Sequence, residues 1–327
     1  MSLKNRGMTM QTGIERVRIE TPYPEDHVNA YLLLGDPLTL VDTGLPFAKS
    51  QEQLQAGLAE HGVSFADIEQ ILVTHMHLDH IGAVSAVQRA SGARIVVSSS
   101  ARRIVELGEE EHRRFDAFYQ AFAREAGSDV HWESRIWMQK YDWRDVVYVE
   151  DGDRVRAGGR DWRVMYVPGH SRTDICLVDA DGCAIVGDHL LPTISSNAFV
   201  EPPAAPAAPR PKPLLDYRAS MERTRALDLK IIYPGHGDPF SDHRALIDRR
   251  FAEHESRCQQ IWEALAAGAS TVAEVTARLF PKLQGPVVML GLSEVQGHLD
   301  LMESRGQVTS SMDGAVRRWT CATASAR

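Results

Sequence analysis

Apolar residues early in the chain fall into short runs broken by turn signals. VRIET at 17–21, VNAYLLL at 28–34 and LTLVDTG at 38–44 carry the branched and aromatic residues of strands, and Gly35-Asp36-Pro37 separates the second from the third. This predicts an antiparallel start to a sheet. A helical stretch from about 47 to 61 follows, then ADIEQILVTH, whose apolar core Ile71 to Val73 suits a buried strand ending just before His75. Beyond His80, Ile81, Val84 and Val87 recur with Ala83, Ala86 and Ala90 at helical spacing, and Gly92 closes that helix ahead of the strand-like RIVVSSS at 94–100. Residues 101–127 are charged and helical in character. The segment 131–150, with Trp132, Trp137, Tyr141, Trp143 and Tyr148, has no period that assigns it, and it is expected to cover part of a cleft.

The β pattern restarts at DWRVMYVPGH (161–170), continues through DICLVDADGCAIVGD (174–188) and returns at KIIYPGHG (230–237). Two β-rich halves with helices between them imply two packed sheets flanked by helices, an α/β architecture. EPPAAPAAPRPKP (201–213) holds six prolines in thirteen residues and excludes helix or central strand, so an extended loop or lid edge is expected there. After His236 the pattern is helical at 241–267, 271–280 and 292–306. QVTSSMDGAVRRWT (307–320) reads as a hairpin turning at Asp313-Gly314. Helix, helix, hairpin is the order of a winged helix. In the third helix, Leu292, Val295, Leu299 and Met302 form an apolar stripe that would pack on the preceding domain or on a second subunit.

Composition narrows the picture. The 327 residues allow one large domain with an appendage, or two ordinary domains, with 43% hydrophobic and 24% charged residues in the globular range. No window approaches the roughly 20 apolar residues of a membrane span. The opening MSLKNRGMTMQTG lacks the apolar region of a secretory signal; its first residues read as a cloning remnant, with Met8 or Met10 as the native start. Cys176, Cys183, Cys258 and Cys321 show no CxxC spacing, which fits a reducing cytoplasm and disfavours zinc-finger or disulfide readings. A net charge of −8 and a pI near 5.9 argue against general polyanion binding.

The candidate chemistry is concentrated in VTHMHLDH at 73–80, where three imidazoles and a carboxylate follow a buried strand. Imidazole nitrogen and carboxylate oxygen suit zinc and similar first-row ions, and a turn lets their side chains converge. His75 and His77 could share one ion while Asp79 and His80 reach a second. Two ions need more donors, and three strand runs supply them. His170 follows VMYVPG, Asp188 follows CAIVG, and His236 follows IIYPG, each donor coming directly after a glycine. His189 adjoins Asp188 and reads equally as a cleft residue or a packing residue. His27, His61, His112, His131, His243, His254 and His298 read as surface or packing residues.

The ordered HxHxDH, His, Asp, His set resembles the metallo-β-lactamase superfamily, and the likeness covers roughly residues 15–245. It implies an αββα sandwich over 15–245, preceded by a tail at 1–14 and followed by a helical, winged-helix-like appendage at 246–327. It further implies that His75, His77 and His170 hold a first metal, that Asp79, His80 and His236 hold a second, and that Asp188 bridges them. Asp42 in VDTG matches a position that supports a ligand from behind. The expected cofactor is two divalent ions, zinc first, with iron, manganese or cobalt also compatible with the donors. A bridging metal-bound hydroxide would be the nucleophile, with Asp79 or Asp188 carrying a proton to the leaving group.

Departures from subgroup patterns shape the substrate expectation. Zinc β-lactamases with three histidines and a cysteine usually have Arg after the motif Asp and Cys at the bridging position, where this chain has His80 and Asp188. Flavodiiron proteins usually have Glu in place of His77. Acyl-homoserine lactonases carry a tyrosine three residues past the bridging Asp, where this chain has Leu191. Glyoxalase II and related thioesterases share the all-His, bridging-Asp pattern, and GDHLLPTISSN (187–197) resembles bacterial hydrolases close to them. The expectation is therefore hydrolysis of a small ester or thioester. A lactonase and a metal-dependent ribonuclease or phosphodiesterase stand as alternatives, a β-lactamase is less favoured, and a mononuclear iron dioxygenase of the same fold stays open. A small-molecule substrate is expected, with no nucleic acid or membrane partner and with homo-oligomerisation open. Arg305, Arg317 and Arg318 are the residues an RNA-cleaving reading would use.

Overall fold

The computed structural model describes residues 13–22, 26–131, 141–206 and 208–322. The expectations for the tail at 1–12, for Trp132 and Trp137, and for Ala207 in the proline run lie outside them. The first sheet has six strands in sequence order: β1 (Ile14–Glu20), β2 (His27–Leu33), β3 (Thr39–Val41), β4 (Gln70–Leu72), β5 (Arg94–Ser98) and β6 (Val146–Val149). It is antiparallel from β1 to β3 and parallel from β3 to β6. The second sheet contains β7 (Arg154–Ala157), β8 (Arg160–Tyr166), β9 (Ile175–Asp179), β10 (Cys183–Gly187) and β11 (Ile231–Pro234), in the order β11-β10-β9-β8-β7. Only β10 and β11 run parallel.

Alternation along the strands divides the core into layers, because successive side chains point to opposite faces. In β4 and β10, Leu72, Cys183 and Ile185 meet Val41, Val96, Trp162 and Leu177 between the sheets. Their neighbours turn outward. Ile71 and Ile95 pack under α1 (Ala48–Ala59) and α3 (Val84–Ser91) through Leu54, Leu58, Val84 and Val87. Ala184 and Val186 join a larger cluster under α5 (Glu109–Glu125), which follows the short α4 (Arg102–Leu107), and under α6 (Pro213–Arg225), α7 (His243–Ala266), α8 (Val272–Leu279) and α9 (Val288–Ser304). The result is helix, sheet, sheet, helix, as the sequence implies. Strands buried on both faces explain why they read as continuous apolar runs.

Three elements have no counterpart in the apolar pattern. β6 lies in the unassigned 131–150 segment. β7 is four residues long, and α6 begins directly at Pro213 after the proline run. Proline is favoured at a helix's first position, where no intrahelical N–H is needed, so the run ends by starting a helix. The C-terminal order of helices and hairpin is observed, with β12 (Val308–Asp313) and β13 (Val316–Cys321) joined through Gly314 and Ala315. α9, however, is enclosed: twelve of its seventeen residues are buried, and Leu292, Val295, Leu299 and Met302 all face this chain's own core. Among the described residues no helix is long and apolar enough to cross a membrane. The four cysteines are free.

Candidate metal centre

β4 delivers the first donors. After Leu72 the chain leaves the sheet through Val73 and Thr74, and His75 is buried at the sheet edge. His77 caps the short helix α2 (Leu78–Ile81) in an extended conformation, which puts Asp79 and His80 in its only turn. That turn is fastened to the end of β3, where Thr43 N donates to His80 O at 2.7 Å and Gly82 N donates to Gly44 O at 2.7 Å. His170 follows β8, Asp188 follows β10 and His236 follows β11. Glycines make room in two different ways. Gly187 adopts φ 48°, the left-handed turn that side chains disfavour, whereas a Cβ on Gly235 would lie 2.2 Å from Asp188 Oδ1.

The structure brings all seven sequence-singled donors into one cluster. The donor atoms of His75, His77 and His170 lie within 4.8 Å of one another, as do those of Asp79, His80 and His236, and those of His75, His80 and Asp188. His77 Nδ1 and His170 Nε2 approach to 2.9 Å. Asp188 stands between the groups. Its Oδ2 is 3.6 Å from His170 Nε2 and 3.4 Å from His236 Nε2, and its Oδ1 is 3.4 Å from His80 Nε2. Asp79 Oδ2 is 3.3 Å from His236 Nε2.

A buried imidazole or carboxylate atom without a partner is costly. Here His75 Nε2, His80 Nε2 and Asp188 Oδ1 are all buried without a hydrogen-bond partner. They point into the cluster, and a divalent cation satisfies nitrogen and carboxylate donors of this kind. The residues therefore fit a metal centre. Charge in the cluster divides unevenly. Burial, reinforced by neighbouring imidazoles, holds His75 well below its usual range and takes His170 down to about 4. Burial opposes a charge on His236 too, but Asp188 and Asp79 outweigh it and push that ring up to about 10. Asp188 is held far down against burial, chiefly by His236 and His80, and Asp79 is held at about 2, chiefly by His80.

The ring nitrogens facing away from the cluster have their own partners, which orient each imidazole. His80 Nδ1 pairs with Asp42 Oδ2 at 2.8 Å. Asp42 holds a left-handed backbone at φ 58° and accepts from Thr74 N at 2.8 Å, so a strained residue is fixed from two sides. His236 Nδ1 donates to His27 O at 2.6 Å, and His170 Nδ1 donates to Asn197 O at 3.0 Å. Sequence reasoning singled out Asp42 but missed Asn197, Glu201 and Asp174. Glu201 Oε1 lies 3.8 Å from His77 Nε2, and Asp174 Oδ1 lies 3.8 Å from His75 Nδ1. His189 turns away from the cluster: its Nε2 meets Thr224 Oγ1 at 2.8 Å in the core. The His170 loop is also tied to α5, where Arg172 donates to the fully buried Glu111 at 3.0 Å.

Fold and site together define a metallo-hydrolase architecture. The chain belongs to the metallo-β-lactamase superfamily, whose description matches residues 23–236. It is 31% identical over 304 residues to the "Probable metallo-hydrolase YqjP" of Bacillus subtilis, covering 91% of this chain and 94% of that protein. It is 24% identical to the atrochrysone carboxyl ACP thioesterase of Aspergillus fumigatus, covering 79% of this chain and 70% of that protein. The crystal structure of the metallo-β-lactamase family protein TTHA1429 from Thermus thermophilus superposes with a TM-score of 0.79 at 25% identity, covering 94% of this chain and 98% of that one.

Proposed function

We propose that this protein hydrolyses a small ester or thioester with two divalent ions, zinc in the first instance, and that its catalytic domain is residues 15–245. The observation that carries this reading is the convergence of seven donors about Asp188, with three buried ligand atoms left without other partners. His75, His77 and His170 would hold one ion, Asp79, His80 and His236 the other, and Asp188 would contact both. When bound, such a pair lowers the pKa of a shared water and polarises the substrate's acyl oxygen. Asp188 keeps the two donor groups in register. Asp79, at 16% exposure the more open of the two acids, would take the proton that the attacking water gives up and pass it to the leaving alkoxide or thiolate.

The thioester preference rests on two supports. Asp188 stands where a β-lactamase of the three-histidine type would have cysteine, and one relative is named as an ACP thioesterase. The cytoplasm is the proposed compartment, on the strength of four free cysteines. Nucleic acid is not the proposed substrate, because the arginines that would meet its phosphates are already paired: Arg305 with Glu255, Arg317 with Glu125 and Arg318 with Asp313. A screen of thioesters, lactones, β-lactams and phosphodiesters with the zinc-loaded protein tests the reading. Turnover of a thioester, lost on chelation and in Asp188→Ala, is expected. Full activity in metal-free protein, or turnover of phosphodiesters alone, overturns it.

A further inference from the structure

Resting on the two-ion reading, we propose that Glu201 is a positioning residue for His77, and that α9, by fixing the 197–201 segment, supports one metal position without supporting the other. The outward partners of four of the five histidines divide by origin, while the fifth, His75, meets Thr74 Oγ1 at 3.2 Å. His80 and His236 are held by Asp42 and by His27 O, at the end of β3 and the start of β2, so both lean on the first sheet. His170 and His77 lean on one segment, through Asn197 O at 3.0 Å and the Glu201 carboxylate at 3.8 Å.

That segment buries Ala198 and Val200 in the core it shares with α9. It carries no regular secondary structure, and α9 holds it at two points. Asn197 Nδ2 donates to Leu290 O at 3.0 Å, and Val200 N donates to Ser293 Oγ at 3.0 Å. On the other side Phe199 N donates to His170 O at 3.3 Å, and Arg172 N donates to Glu201 Oε2 at 2.6 Å. Glu201 is only 6% exposed. A carboxylate buried this far is expensive unless it is paired, and one backbone N–H with a long bond from the Ser171 hydroxyl, 3.3 Å to Oε1, is a small return for it. Facing His77 Nε2, it favours the tautomer protonated there. The Nδ1 lone pair is then left for the cluster, where it already converges with His170 Nε2 at 2.9 Å. The alternative role, a cap for the 171–172 turn, would give Glu201 a part in stability and none in metal affinity.

Stepwise zinc binding, measured by chelator competition on the full-length protein, separates these roles. His77→Ala identifies the binding step that belongs to its position. Glu201→Gln is expected to weaken that same step by about 10- to 100-fold and to leave the other within about twofold. Ser293→Ala keeps the carboxylate but removes the bond holding Val200, and it should weaken the His77 step several-fold with an unchanged circular dichroism spectrum. Should Glu201→Gln fail to fold, Ser293→Ala carries the test by itself. Equal weakening of both steps, or loss of thermal stability with both steps unchanged, overturns the proposal. Fewer than two ions in the unmodified protein overturns the two-ion reading itself, and this proposal with it.

Discussion

Glu111 is a full charge with no exposed surface, and Arg172 at 3.0 Å, Arg103 at 3.1 Å and Arg114 at 2.9 Å surround it. Burial opposes its ionisation, but the hydrogen bonds from Arg114, Arg172 and Arg103 hold it at about 2, well below the usual 4.5. Because the folded value is the lower one, the folded state gains stability from this carboxylate above pH 4.5 and loses it as pH falls toward 2. Glu111→Gln should cost on the order of 2 kcal/mol at neutral pH. That is less than a fully enclosed pair would lose, because Arg103 is 35% exposed. The gap between variant and parent should close progressively from pH 4.5 to pH 2 in urea titrations. A gap independent of pH would remove the ion cluster as its cause. Such residues mark the limit of what sequence shows. The seven donors were legible because each follows a strand run and the first four share six positions. Glu111, Asn197 and Glu201 act on the site through folded contacts across long sequence separations, and a single carboxylate before a proline run carries no spacing to read.

At the scale of elements, α9 connects the proline-rich run to the body of the protein. Arg210 donates to both oxygens of Asp300, at 2.6 and 2.8 Å, and Lys212 pairs with Glu303 at 3.2 Å. Asp300 is 1% exposed, so Asp300→Ala leaves Arg210 partly buried without its partner and should cost roughly 2–3 kcal/mol, read as a lower urea midpoint with an unchanged slope. An unchanged midpoint would show that the run is held elsewhere. The stripe Leu292, Val295, Leu299 and Met302 was visible from its period, and the structure shows that it packs inside this chain. The helix begins at Val288, ahead of the expected Leu292, because VVMLG contains no polar break at which a start could be read. β7 escaped notice for the opposite reason. Its four residues RVRA alternate charged and apolar for too short a stretch to stand out between turns.

For the whole molecule, the outer face of the second sheet and the C-terminal helices share one core, in which Val186, Ile232 and Leu214 meet Ile261, Leu292 and Trp319. Removing everything after residue 268 would strip α8, α9 and the hairpin from that core and leave α7 and the sheet face uncovered. The truncated protein is expected to aggregate or to lose cooperative unfolding, as sedimentation and calorimetry would show. A soluble, cooperatively unfolding fragment would establish the C-terminal region as a separable appendage. The two-layer sheet core was legible from alternation and run length, whereas this sharing was not, because the positions that meet belong to distant segments with no common period. Translation runs from the N-terminus, and the contacts from Leu290 and Ser293 to the 197–201 segment acquire a consequence in time. A nascent chain has exposed all seven donors once His236 leaves the ribosome, yet the helix that steadies two of them is still unmade. On the two-ion reading proposed above, metal loading becomes a late event in biogenesis, and a prematurely ended chain would carry every proposed ligand and still be a poor competitor for metal.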